Sequence, residues 1–228
     1  MTRMPALFPR RTAGAHVISE RLSAMRARPG LGLLLSVFVV IGLGGCKVLP
    51  EAQSDPTRSF ILSTKAGTAA VPVAADAPTV NLRAVELADY LRSRALVVRR
   101  GENEIEFREF AQWGEGLDLG IARILREELL ARGAAVAVQL PGSRATAGKG
   151  AEVDLRIRVL ASEGGVDGGI AFRAAWELTR GAGRPATRGD YRAENVRWQQ
   201  KDEASLAAGI SEAVAGLAAE IATALAKL

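Results

Sequence analysis

Residues 31–46 form the stretch LGLLLSVFVVIGLGGC, an uninterrupted apolar run that ends in small residues and the only cysteine of the chain. The part of the run before Gly44 is shorter than the roughly 20 residues that a membrane-spanning helix needs, and it has the length of a secretory hydrophobic region. Leu43, Gly44, Gly45 and Cys46 fit the lipobox pattern, in which an aliphatic residue and two small residues precede the cysteine. The narrow backbone gives the signal peptidase and the acyl transferase access to the thiol. The stretch therefore predicts a lipoprotein signal sequence that is removed from the folded protein.

The alternative interpretation is a single N-terminal membrane anchor. The cysteine directly after Gly-Gly favours a lipoprotein signal peptide over such an anchor. Arg26 and Arg28 supply the basic region that precedes the hydrophobic part of a signal peptide. We assign residues 1–45 to the signal peptide. That segment is unusually long unless translation starts at Met25, where MRARPGLGLLLSVFVVIGLGG has ordinary proportions.

The charge of the chain changes when the signal peptide is removed. The whole chain carries a formal net charge of +5, but residues 1–45 hold six arginines and one glutamate. The mature chain from Cys46 onward therefore contains 24 basic and 24 acidic residues and is formally neutral. Because the basicity belongs to the discarded segment, nucleic acid is not expected as a partner.

The mature chain also lacks residue types on which much of catalysis depends. The only histidine, His16, precedes the cleavage site, and Cys46 is the only cysteine. No Ser-His-Asp triad, Cys-His pair, histidine metal ligand or internal disulfide can be built from it. We therefore predict no catalytic residue and no metal site. An envelope hydrolase that uses only carboxylates or a Ser-Lys pair stays compatible with the composition, as the least favoured hypothesis.

Residues 46–58 are polar and contain prolines, as in a short tether, and residues 59–228 suit one domain. Alternating or compact apolar runs predict strands in this domain. The apolar phase shifts within TVNLRAVEL, which marks a bulge or the end of a strand. A Gly/Asn turn predicts a hairpin, and two later glycine-rich turns, 162–169 and 181–189, predict a three-strand meander. The predicted strands are Ser59–Thr64, Thr79–Leu87, Ala95–Arg99, Glu104–Phe110, Ala135–Leu140, Val153–Val159, Phe172–Leu178 and Asp190–Trp198.

Two helices are predicted from apolar residues that recur on one face. The first begins near Leu117 and ends at Gly133, which stands where a C′ glycine would. The second follows Asp202, a plausible N-cap, and closes the chain. The order of elements predicts an α+β domain, with a mostly antiparallel sheet and two amphipathic helices on one face.

Three groups of residues could be taken for functional sites. The loop Gly142–Gly150 resembles a phosphate loop, but it has the wrong glycine spacing and leads into a strand. Acidic residues in EIEFREF, Glu104 and Glu106 with Glu109 nearby, alternate with apolar ones, which favours a solvated strand face over paired catalytic acids. The tryptophans favour core packing over a sugar or lipid platform, since two of them continue apolar alternations; they are Trp113, Trp176 and Trp198.

The order of motifs resembles the ABC-transport auxiliary lipoproteins, the PqiC-like family. After the lipobox come an FILS strand, VNLRAVELADYL, a hairpin ending in NEIEFREFAQW, a helix up to LLARG and a final amphipathic helix. The resemblance covers essentially all of the mature chain and is most specific from Val80 to Gly133. It implies a small α/β domain without enzymatic activity.

The resemblance further implies an auxiliary role in an MCE-type system that moves phospholipids or other apolar molecules across the periplasm. The implied partners are an MCE-domain protein, an ABC permease and ATPase, the outer-membrane bilayer and, in one arrangement, further copies of the chain in a ring. No cofactor is implied beyond the diacylglycerol and N-acyl chain on Cys46. Lys47 follows the cysteine instead of the aspartate associated with inner-membrane retention, which favours an outer-membrane anchor facing the periplasm.

Tyr90, Leu91 and Trp113 are the residues that we predict to face the conduit or a second copy, with core packing as the alternative for Trp113. A different class of function also remains open at this point. It is a lipoprotein that assembles or chaperones an outer-membrane β-barrel without any transporter.

We predict that translation starts at Met25, or that the residues before it are dispensable, because the shorter signal already has every region that export needs. Mass spectrometry of the uncleaved precursor should then find no tryptic peptide Thr12–Arg21, while the domain peptide Glu127–Arg132 reports its abundance. Recovery of Thr12–Arg21 in proportion to that control contradicts the prediction.

Overall fold

The computed structural model of the chain describes residues 54–64, 71–74, 76–143, 151–180 and 184–228, without the side chains of residues 184–186. The lipobox, Cys46 and most of the predicted tether lie outside these ranges, as does most of the loop after Gly142. Residues Asp55–Leu228 form one compact unit. The structure therefore bears on the predicted domain and not on the signal peptide.

The described residues of this unit form nine strands and two helices. A 3₁₀ turn, Asp89–Arg92, separates the third and fourth strands. The helices are α1 (Leu117–Ala131) and α2 (Glu203–Leu225). The strands are β1 (Arg58–Phe60), β2 (Thr79–Leu82), β3 (Glu86–Leu87), β4 (Ala95–Arg99), β5 (Ile105–Trp113), β6 (Ala137–Gln139), β7 (Glu152–Gly165), β8 (Ile170–Arg180) and β9 (Arg184–Arg192).

Strand β7 is the axis of the sheet. On one edge it pairs in parallel with three successive segments of the chain, β2 near its start, β3 at its middle and β4 at its end. On the other edge it pairs antiparallel with β8, which pairs antiparallel with β9. Strand β1 pairs in parallel with β5, and β6 pairs in parallel with β2.

The prediction of a mostly antiparallel sheet was wrong, because the sheet is mixed. The predicted hairpin β4–β5 and the meander β7–β8–β9 are confirmed as antiparallel. The pairings of β1 with β5, β2 with β6, and β2, β3 and β4 with β7 are parallel. Parallel partners are joined by long crossovers, which leave no turn signal in the sequence. The turn signals in the sequence therefore predicted only the antiparallel strand pairs of the sheet.

The alternation along β7 separates a buried face from a solvent-facing one, as predicted. Its apolar residues are buried, namely Val153, Leu155, Ile157 and Val159. Arg156 and Arg158, which alternate with them, are exposed. Both helices cover the buried face and pack against each other, and they share one hydrophobic core with the sheet. The opposite sheet face, which we call the outer face, carries the arginines.

The helix ends follow the predicted signals. Gly133 has φ +65° just beyond α1, and a Cβ there would lie 3.0 Å from the carbonyl oxygen of Pro72. The side chain of Asp202 accepts a hydrogen bond of 3.0 Å from the backbone N–H of Ala204, which caps α2. By length and composition α2 could cross a membrane, but over half of that stretch is buried inside the domain.

Two glycines predicted as turn residues lie within strands. Gly189 belongs to β9, and a Cβ there would lie 2.5 Å from the ring of Trp176. Gly164 belongs to β7, where the ring of Trp198 takes the place of a side chain. Gly189 thus leaves room for Trp176 within β9, which begins at Arg184 and so includes most of the predicted turn 181–189. Only Gly168 of the 162–169 turn has a positive φ, +79°.

Replacing Gly164 by alanine should destabilise the domain by about 1–3 kcal/mol, the usual cost of overpacking a core. The added Cβ would lie 2.7 Å from the Trp198 ring and 2.9 Å from Leu206. Chemical denaturation measures the change. Gly101→Ala is the control, because its Cβ would meet only Glu104, at 3.8 Å. Equal stability of the two variants contradicts the close approach of Trp198 to β7.

Candidate functional site

The predicted lipidation motif, Leu43, Gly44, Gly45 and Cys46, lies outside the described residues, so its role stays a prediction. The three predicted surface residues differ in accessibility. Leu91 is 2% exposed and Trp113 is 4% exposed, while Tyr90 is half-buried. The structure thus brings Leu91 and Trp113 into the core, and Tyr90 to its edge.

Trp113 is buried because it ends β5 between two other segments. Its backbone pairs in register with Phe60 of β1, and its N–H donates to the carbonyl oxygen of Arg94 at 2.6 Å. The other tryptophans are also buried, and each indole N–H has a partner. Trp176 donates to Glu220 at 2.7 Å, and Trp198 donates to the carbonyl oxygen of Gly165 at 3.0 Å. Core packing, the favoured interpretation for the tryptophans, is confirmed.

Tyr90 belongs to a polar cluster around a buried carboxylate that sequence reasoning did not single out. Glu163, on β7, is 1% exposed. Its Oε1 accepts a hydrogen bond of 2.5 Å from Nε of Arg99, and its Oε2 accepts one of 2.9 Å from the Tyr90 hydroxyl. The carboxylate is therefore paired with a cation and hydrogen-bonded on both oxygens, as a buried acid must be.

A β-bulge in β7 accounts for the position of this acid. The register with β8 shifts between Val159 and Ala161, so that Leu160 is the extra residue. Beyond the bulge Glu163 lies on the outer face, opposite Ala171 of β8. There it is covered by Arg99 and by the 3₁₀ turn that carries Tyr90, instead of facing solvent as the arginines before the bulge do.

This environment changes the proton affinity of the tyrosine. Burial of the phenol, and then its hydrogen bond to Glu163, raise the pKa of Tyr90 to about 12. The hydrogen bond to Glu163 likewise raises the pKa of the Arg99 guanidinium above its usual value. Tyr90 and Arg99 thus keep their protons throughout the physiological range, and the cluster is a fixed polar anchor and not a proton donor.

An open cleft of about 560 Å³ lies beside this cluster on the outer face. Arg99 and Glu163 form one wall, Glu102 lies on the rim, and Arg173 of β8 and Arg192 of β9 form the other wall. The cleft was not predicted from the sequence, because its lining residues come from four separate segments of the chain. Only the alternation of arginines with apolar residues along β7 and β8 indicated a charged outer face.

Two exposed phenylalanines lie on β5, in a segment for which a solvated acidic face was predicted. Phe107 is 45% exposed and Phe110 is 50% exposed. Glu106, in contrast, is partly buried and pairs with Arg100 and Arg108. A bulge follows Phe107, since the four β5 residues between Phe107 and Gln112 face a single residue of β4. This bulge changes which side chains face solvent.

The same part of β5 has one unpaired edge. Strand β1 pairs only with residues Ala111, Gln112 and Trp113 of β5. Among the described residues no strand pairs with the β1 side of β5 before Ala111. Unpaired backbone next to exposed aromatic side chains is suited to contact with another protein chain.

Within the part of the chain that the structure describes, no group of three or more His, Cys, Asp or Glu side chains could hold a metal ion. The acids of EIEFREF are not paired with one another, since Glu106 is bound between arginines. The geometry thus provides surfaces for binding, namely the cleft and the β5 edge.

Comparison with known proteins agrees with this architecture. The family model described as "ABC-type transport auxiliary lipoprotein component" matches residues 60–222. No curated protein matches the chain.

Several solved structures match this chain, and those with a TM-score above 0.5 have a similar fold. An uncharacterized protein covers 74% of this chain and 98% of its own length, at 17% identity and a TM-score of 0.54. Protein XCC0632 from Xanthomonas campestris covers 72% and 90%, at 15% identity and a TM-score of 0.53. A PelC dodecamer from Paraburkholderia phytofirmans covers 69% and 92%, at 16% identity and a TM-score of 0.36.

Replacing Tyr90 by phenylalanine should lower the free energy of unfolding by about 1–2 kcal/mol, because one oxygen of the buried Glu163 loses its donor. Denaturant titration at neutral pH measures this loss. The matched control is Tyr191→Phe, the other tyrosine of the chain, which is also half-buried and for which the described residues show no hydroxyl hydrogen bond. An equal loss in both variants contradicts the role of the cluster.

The cluster also predicts a pH dependence. Since the pKa of Tyr90 is raised above its unfolded value of about 10, its contribution to stability is complete below pH 10. It is lost as the pH rises toward about 12. Tyr90→Phe should therefore lose less stability than the wild type over that interval.

Proposed function

Because the chain belongs to the ABC-type transport auxiliary lipoprotein family, we propose that it is a non-enzymatic auxiliary subunit of a transport system. The match over residues 60–222 carries this proposal, since it spans the fold from β1 nearly to the end of α2. The described surfaces support a binding role. They comprise an open strand edge with exposed aromatic residues and a charged cleft.

More specifically, we propose that the protein serves an MCE-type system that moves phospholipids or other apolar molecules across the periplasm. Its partners there are an MCE-domain protein and the permease and ATPase of the same system. The acyl chains on Cys46 hold it at the outer membrane, as Lys47 favours. One acyl chain gives only marginal binding, whereas the two or three chains of a lipoprotein give a stable anchor.

The length of the tether limits how far the domain can stand from the bilayer. Twelve peptide units connect Cys46 to Arg58, where β1 begins. A fully extended chain spans at most about 3.3–3.6 Å per residue, so β1 lies within about 40 Å of the anchor. The domain can therefore meet the end of a conduit that arrives from the inner membrane.

We place the main protein contact on the β5 edge. Phe107 and Phe110 are accessible there, and the backbone before Ala111 can accept another strand. The partner is the conduit or a second copy, and repeated contacts of the second kind would make a ring. Tyr90, Leu91 and Trp113 then act from behind this surface by holding β4 and β5 in place.

The test is a mild-detergent purification of the full-length lipidated protein from its native host, with mass spectrometry of the bound proteins and lipids. Recovery of an MCE-domain protein supports the transport role. Recovery of an outer-membrane β-barrel alone would instead support the assembly-factor hypothesis.

A double variant, Phe107→Ser with Phe110→Ser, tests where the partner binds. We expect recovery of the protein partner to fall at least tenfold, because exposed aromatic residues carry much of the energy of such contacts. Stability should change little, since both rings are about half exposed. The control is Val166→Ser, an apolar side chain that is 45% exposed at the β7–β8 turn. Unchanged recovery in the double variant contradicts the β5 contact.

A further inference from the structure

On the outer face of the sheet, two arginines lie directly opposite each other in one row. In the register of β8 and β9, Arg173 lies directly opposite Arg192, and the β7 residue opposite Arg173 is Ala161. Both arginines are exposed. Within the described ranges neither forms an ion pair. Like charges directly opposite each other across two strands destabilise a sheet.

The neighbouring rows each include an acid between or beside their arginines. Glu177 of β8 lies between Arg156 on β7 and Arg188 on β9. Arg158 pairs with Glu86 at 2.9 Å. The Arg173–Arg192 row contains no acid of its own, and the nearest exposed acid in the register is Asp190, which lies opposite Ala175 in the next row.

The nearby buried acid cannot balance this row. Both oxygens of Glu163 are already engaged, one with Arg99 and one with Tyr90. Glu102 lines the rim of the cleft and is exposed, with its backbone carbonyl accepting from Arg99 at 2.9 Å. Beyond the Arg99–Glu163 pair, the lining of the cleft thus holds two guanidinium groups and one exposed carboxylate, that of Glu102.

We propose that this cleft binds a phosphate group, held by Arg173 and Arg192. Planar guanidinium groups bind phosphate through paired hydrogen bonds, and two of them facing each other match its charge and number of oxygens better than those of a carboxylate. The volume of about 560 Å³ exceeds that of phosphate alone and is typical of small-molecule sites. The ligand is therefore a phosphate ester, either a soluble one or the headgroup of a phospholipid.

This inference stands apart from the transport role, because it rests on the register of β8 and β9. The bound phosphate removes the repulsion between the two arginines, so the cleft is more stable when occupied. Placement beside the fixed Arg99–Glu163–Tyr90 cluster gives the site one rigid wall.

The test uses the full-length lipidated protein in an uncharged detergent. Three probes are titrated, namely glycerol 3-phosphate, short-chain phosphatidylglycerol and short-chain phosphatidylcholine, and binding is followed by calorimetry and by the thermal unfolding midpoint. Binding of glycerol 3-phosphate identifies the site as one for soluble esters. Binding of phosphatidylglycerol but not of glycerol 3-phosphate identifies a lipid headgroup site. Binding of phosphatidylcholine as well would show that the ligand needs no net negative charge.

Arg173→Gln and Arg192→Gln should each weaken binding at least tenfold, as expected when a charge-assisted contact is lost. The matched control is Arg188→Gln, four residues from Arg192 on the same strand and opposite Glu177. It should change the affinity less than twofold. An equal loss in the control would mean diffuse attraction of anions and would overturn the proposal, as would failure of the wild type to bind any probe.

The unliganded variants give an independent readout. Since each glutamine removes the repulsion, the unfolding midpoint of Arg173→Gln without ligand should equal or exceed that of the wild type. With saturating ligand the order should reverse. A lower midpoint in the absence of ligand would mean that repulsion between the two arginines does not destabilise the sheet, and it overturns the proposal. Loss of an acidic protein partner in these variants, without phosphate binding by the wild type, assigns the cleft to a protein and overturns the proposal too.

Discussion

The pairing of one long strand with four others is the constraint on which the domain depends. Strand β7 has 14 residues, and it collects β2, β3 and β4 along one edge and β8 along the other. Its apolar side chains line the core under both helices. Because this one strand sets the register of so many others, a change in its phase affects the whole sheet.

The bulge at Leu160 shows how such a change of phase is used. Before it the outer face of β7 carries exposed arginines, and after it the same face carries the buried Glu163. The acid then needs Arg99 from β4 and Tyr90 from the 3₁₀ turn, which ties the parallel and antiparallel halves of the sheet together. The single inserted residue, Leu160, thus sets the register of the end of β7 and also the position of the buried Glu163 cluster.

Periodicity and turn signals predicted those elements whose causes are local. Helices α1 and α2, the Asp202 cap, the β4–β5 hairpin and the end of a strand within TVNLRAVEL all have such causes. The parallel pairings do not, since β2 meets β7 some 70 residues later in the chain. Gly164 and Gly189 were misassigned to turns because the rings that cover them are distant in sequence. The cleft and the β5 edge were missed for the same reason, as both arise from bulges and long-range register.

The arrangement of β2, β3 and β4 along β7 also sets the order in which the chain can fold. Residues 79–99 cannot complete their hydrogen bonds until residues 152–165 are available, so the first half of the sheet waits for the second. A fold dominated by such distant contacts forms slowly, and its unpaired strands stay exposed while it does. A chain that is delivered from its N-terminus must therefore remain extended, or be protected by another protein, until most of its length has arrived.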